Sequence, residues 1–123
     1  MLGAKVLLGI TSQLNWTQLG ADINGEAADD RFGVSVSMNA AGDRVAIGVI
    51  VKDGNGINSG SVSIYTWNGT TWTQLGADIN GEAAGDRFGF SVSMNDAGDR
   101  VAIGAYFNDG NGIDSGSVRI YKI

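Results

Sequence analysis

In the stretch RFGFSVSM, bulky apolar side chains take every second position. Phe88, Phe90, Val92 and Met94 fall on one side, Gly89, Ser91 and Ser93 on the other. A period of two is that of an extended strand presenting one face to a core. RVAIG repeats the arrangement, with Val101 and Ile103 on one face and Ala102 and Gly104 on the other. Small residues on the second face let another sheet approach closely. SVSIYTW predicts a third strand and TWTQLGADI a fourth, joined through Asn68-Gly69, a dipeptide that favours a type I′ hairpin turn. The unit therefore reads as a four-stranded antiparallel meander. Its connections, NDAGD and NDGNGIDSG, are dense in residues that tolerate positive φ or bond their own backbone. No segment has the pattern of a long amphipathic helix, and an all-β chain is expected.

The same pattern occurs twice. WTQLGADINGEAA stands at residues 16–28 and again at 72–84, and a shift of 56 aligns Trp16–Trp67 with Trp72–Ile123 with 41 of 52 pairs identical. The identity extends to solvent-type positions such as Gln18 and Glu26, so the chain has been duplicated. A repeat just above 50 residues is the length of a propeller blade or array unit. The expected organisation is an N-terminal arm or degenerate strand over 1–15, a first blade repeat over 16–71 and a second over 72–123. Three consecutive differences, Val49, Ile50 and Val51 against Ala105, Tyr106 and Phe107, predict a contact that one unit makes and the other does not.

Composition removes several classes of function. At 123 residues, 43% of them hydrophobic, the chain has material for one domain with a core. Its net charge of −5 and eight scattered basic residues argue against nucleic acid, which needs clustered Lys and Arg. With no Cys and no His, disulfides, thiolate or imidazole metal sites and Ser-His-Asp relays cannot be built. The longest apolar stretch, Val45 to Val51, is far below the roughly 20 residues of a membrane helix. Leu7 to Ile10 behind Lys5 is too short for a signal peptide.

DRFGVSVSMNAAGDRVAIGVI and DRFGFSVSMNDAGDRVAIGAY resemble FG-GAP repeats, the blade units of the integrin α-subunit propeller and of many surface proteins. Phe32-Gly33 and Phe88-Gly89 stand at the FG positions; Gly48-Val49-Ile50 and Gly104-Ala105-Tyr106 stand where the family has Gly-Ala-Pro, without its proline. The resemblance implies two four-stranded antiparallel propeller blades per chain, and a placement outside the cell or on a particle surface. Two blades cannot close a ring of four to eight. Completion by a homo-oligomer of two, three or four chains is therefore expected, with Trp16, Leu19, Val49, Ile50 and Val51 as interface residues. The chain ends on SVRIYKI with no fourth strand of its own, and NWTQLGADI near the N-terminus is a spare one. β-Strand addition between copies would unite them. KVLLGI, an eroded third strand, would then leave the edge with residues 1–14.

The family often carries calcium in the loop between its second and third strands, on oxygens at loop positions one, three, five and nine. Asp109 and Asn111 match the first two, but Ile113 takes the fifth, as Ile57 does in the first copy, which favours a structural turn. Asp109, Asn111 and Asp114 remain ligand-binding candidates. In DINGEAAGD the same spacing is met by Asp78, Asn80, Glu82 and Asp86, and by Asp22, Asn24, Glu26 and Asp30 in the first copy. Hard oxygens at alternate positions suit Ca²⁺, although Ala83 stands where such loops turn on Gly. The alternative is a solvated loop whose Asp and Asn cap local turns. No cofactor is otherwise required. Trp16, Trp67 and Trp72 offer either sugar stacking or blade packing, and Asn15 and Asn68 stand in glycosylation-type triplets. Asp43-Arg44 and Asp99-Arg100 read as turn caps. No acid/base couple stands out, so the expected function is a non-enzymatic module for recognition, adhesion or assembly, with a protein or glycan ligand. A purely structural block of a surface layer or virus-like particle, and a calcium- or sugar-binding lectin-like protein, are the alternatives.

Overall fold

The computed structural model describes residues 15–123, and the expected arm over 1–14, with the KVLLGI strand, lies outside the described residues. Among the described residues there is no helix. Eight strands follow in order: β1 Phe32–Met38, β2 Arg44–Val49, β3 Ser61–Trp67, β4 Trp72–Gln74, β5 Ile79–Asn80, β6 Ser91–Met94, β7 Arg100–Ala105 and β8 Ser117–Lys122. They form two antiparallel sheets. The first runs β1-β2-β3-β4 with β5 also on β3, and the second runs β6-β7-β8. The meander of each repeat is thus present, with four strands in the first sheet and, among the described residues, three in the second.

Three local departures have physical causes. The expected fourth strand breaks at a bend where Gly76 takes φ 75°, so β4 pairs with Tyr65–Trp67 and β5 with Ser61 and Val62. Gly89, at φ 95°, turns the chain before β6. Phe88 goes into the core at 1% exposure while Phe90 is left at the surface, its ring against Tyr106. At the hairpin, Asn68 N–H donates to the Thr71 carbonyl, making Gly69 and Thr70 the central pair. Only Gly69 has positive φ, which excludes type I′, and the Thr70 and Thr71 N–H groups donate to Asn68 Oδ1, which closes the turn.

The core lies between the two sheets. The small-residue face of the first sheet contributes Ala46, Val62 and Ile64; the bulky face of the second contributes Phe88, Met94, Val101, Ile103 and Ala105. Gly48 lies on that small-residue face, and a Cβ on it would run into the Gly89 carbonyl. The close approach expected from Ala and Gly therefore exists, and it sets the spacing of the joint. Leu75 and Ile79, from the bend after β4, pack against the same core and tie the first repeat onto the second. Side chains of residues 18–24 line a cleft with Val36, Met38, Val45 and Ile47 on the outer face of the first sheet. They stand there as Leu75 and Ile79 stand on the second.

Candidate functional site

Three polar bonds fasten the joint between the blades. Ser35 Oγ donates to the Gly89 carbonyl at 2.6 Å, Met94 N–H donates to Ser37 Oγ at 2.9 Å, and Arg44 Nη1 donates to the Gly98 carbonyl at 2.9 Å. The loop after β2 adds backbone pairs with the second repeat: Phe88 N–H to Ser59 O and Gly81 N–H to Gly60 O, both 3.0 Å. Gly60 itself, at φ +84°, lies so near Phe88 that a Cβ would collide with its backbone. Val49 and Ile50, expected at an interface between chains, are 3% and 4% exposed within one chain. Val49 shares the outer face of the first sheet with Val45 and Ile47, and Ile50 follows it; both side chains are covered intramolecularly and Val51 is half-buried. Tyr106, the counterpart of Ile50, is 43% exposed, whereas Ala105, the counterpart of Val49, is 5% exposed. Trp16 is fully exposed and Leu19 is 52% exposed. The Leu19 carbonyl accepts a bond from Trp72 Nε1 at 2.9 Å, and the Trp72 ring packs on Trp67 at 5.3 Å.

The acidic residues of the two DINGEAA loops separate onto different partners. Asp78 accepts from Lys52 Nζ at 3.0 Å, Ser63 Oγ at 2.9 Å and Gln74 Nε2 at 2.6 Å. Glu82 pairs with Arg119, and Asp86, 4% exposed, accepts from Asn108 Nδ2 at 2.8 Å. Asn80 lies against Gly54. In the first copy Glu26 accepts from the same Lys52 at 2.7 Å and Asp22 accepts from Gln18; Asn24 and Asp30 are not drawn to either. Among the described residues no three acidic side chains gather as a metal site needs. The chain is extended at Ile79–Asn80 as β5, which spaces Asp78 and Asn80 along the chain instead of curling them round a common loop centre.

Electrostatics make Lys52 the hub. Burial works against its charge, but the bonds to Glu26 and Asp78 outweigh it and hold its pKa above the ordinary lysine value. Burial would raise the Asp78 pKa; the bonds from Lys52, Ser63 and Gln74 prevail and lower it. Burial, then the charges of Asp78 and Glu26, raise that of Tyr65.

The loops after β2 and β7 close on themselves. Asp109 Oδ1 accepts the Asp114 N–H at 2.7 Å and Asn111 N–H donates to Ser115 Oγ, with Asp53, Asn58, Asn55 and Ser59 repeating the pattern. The Asp109 oxygen is thus spent on its own turn, and the tips carry Ile57 and Ile113 at 71% and 89% exposure. In the sequence Ile57 and Ile113 stand only as interruptions of an oxygen-ligand pattern; a hydrophobe amid turn residues is also the signal of an exposed apolar tip.

No curated protein matches the chain. The model of the FG-GAP repeat matches residues 24–65 and again residues 80–121; both spans carry the strand meander and the Phe-Gly turn described above, and the chain belongs to the FG-GAP repeat family.

Proposed function

We propose that the chain is a non-enzymatic propeller-type module for recognition, adhesion or assembly, which meets a protein or glycan through its loop tips. The observation that carries this is the pair of rigid, self-bonded loops holding Ile57 and Ile113 out in water. An exposed apolar side chain on an ordered loop is a low-entropy contact, since little freedom remains to be lost on binding. Glycan and protein arrays test it. Ile57→Asp with Ile113→Asp should remove any ligand that the wild type captures, and full retention would overturn the assignment of the tips.

A structural role as the building block of a larger particle is favoured by a different observation. Both outer sheet faces keep apolar side chains in water, among them Val36 at 63% and Ile120 at 70% exposure. In either role the blades are to be completed into a ring. For calcium, an ion at the 78–86 loop would have to displace Lys52 from Asp78 and Arg119 from Glu82. Millimolar CaCl₂ is therefore expected to leave the melting temperature unchanged; a rise would show that the ion wins, since a ligand of the native state stabilises it.

A further inference from the structure

The joint inside the chain supplies a template for a joint between chains. Its receiving half is the small-residue face of the first sheet: Ser35, Ser37, Ala46, Gly48, Val62 and Ile64. A shift of 56 turns these into Ser91, Ser93, Ala102, Gly104, Val118 and Ile120, all identical in type. In the first sheet Val62 and Ile64 are 0% and 3% exposed beneath the second blade; in the second sheet Val118 and Ile120 are 67% and 70% exposed. The inserting half is free in part: Val36 is 63% exposed, while Val45 and Ile47, the counterparts of Val101 and Ile103, are 8% and 4% exposed beside residues 18–24. Met94 is 8% exposed inside the joint, whereas its counterpart Met38, on the outer face of the first sheet, is 52% exposed. Each chain thus carries an uncovered receiving half and a partly uncovered inserting half, on opposite sides.

We propose that a second copy of this chain occupies these faces head to tail, the outer face of its first sheet seated on the outer face of the second sheet. The occupant follows from continuity with the joint already present, because none of the 11 differences between the repeats (52 − 41) falls on the receiving face. The register follows as well. Ser91 Oγ donates to the Gly33 carbonyl of the second copy, its Met38 N–H donates to Ser93 Oγ, and Arg100 reaches its Gly42 carbonyl. Residues 16–24 of the second copy, equivalent to the β4–β5 segment, come beside β8 and stand in for the missing fourth strand. The contact is heterologous: unlike faces meet, so it closes into a ring only if the rotation per chain allows.

This inference rests on the propeller-blade reading, but it is tested without any ligand, so a failed array and a failed assembly are separate results. Val36→Lys blocks one face and Ile120→Lys the other. Both sites are exposed in the single chain, and circular dichroism checks that each variant folds; Met38→Lys and Val118→Lys repeat the test at the same faces. By light scattering the wild type should weigh a multiple of 12.7 kDa, and each variant alone should weigh one chain. Their equimolar mixture should weigh two, because one intact head meets one intact tail. A monomeric wild type, assembly by either variant alone, or a mixture that stays at one chain would each overturn the proposal.

Discussion

Gly48 and Gly104 hold the same place in two repeats and face different surroundings. At Gly48 a methyl group would meet the Gly89 carbonyl, which is backbone and cannot step aside; at Gly104 the nearest atom is the rotatable hydroxyl of Ser91. Gly48→Ala is therefore expected to cost about 1–3 kcal/mol, the usual range for overpacking. Gly104→Ala in the monomeric Ile120→Lys background should cost under about 0.5 kcal/mol. Urea unfolding of the two variants decides it, and equal losses would mean that the sheets do not pack on Gly48. The charged hub makes a second prediction. Asp78 has a lowered pKa, so its contribution is present above the unfolded carboxylate value of about 4 and is lost as pH falls through the folded one. Lys52 has a raised pKa, so its contribution holds below about 10 and is lost as pH rises through the folded value. Lys52→Ala should thus lower stability by about 1–3 kcal/mol at pH 7, with the deficit closing in acid as pH falls through the lowered folded value of Asp78 and the carboxylate is protonated. A deficit that is the same at pH 7 and in acid would assign Lys52 a packing role alone.

At the scale of elements, the strands were legible because a period of two survives in a single sequence. The faces of β6 and β7 follow from Val92, Met94, Val101 and Ile103 without any tertiary information. The interruptions at Gly76 and Gly89 were not legible, since glycine permits a bend without requiring one. The side chains of the candidate metal loop stand apart for a related reason. Spacing one, three, five and nine converges only if the chain curls, and residues 79–80 are instead held straight as β5 against β3. The cations that disperse the carboxylates, Lys52 and Arg119, come from other strands and loops and are both positions where the repeats differ. Residues 16–24 yield the prediction proper to this scale. Removing residues 1–20 takes away the part of the substitute fourth strand that corresponds to β4, and the truncated chain should lose the wild-type mass and melt at lower temperature. If both are retained, this segment contributes nothing to the joint.

For the molecule as a whole, the joint between Gly48 and Gly89 has a bearing on how the chain reaches its native state. The first blade receives its own second blade by a surface that any other molecule's second blade matches equally well, and only tethering favours the internal partner. Tethering acts as an effective concentration, commonly millimolar for a short connection, so dilute chains should pair internally. Crowded, partly folded chains face a real choice, and near-identical tandem units are prone to exchange of equivalent pieces during folding. Recovery of native protein from urea is therefore expected to fall as protein concentration rises, with the lost fraction in species held together by exchanged blades. Seating of one molecule's first blade where another's second blade belongs is a further error of assembly, and it should be reduced by making the two repeats less alike. Divergence between neighbouring repeats would then be a folding safeguard, and a chain with 41 of 52 positions still matched has little of it.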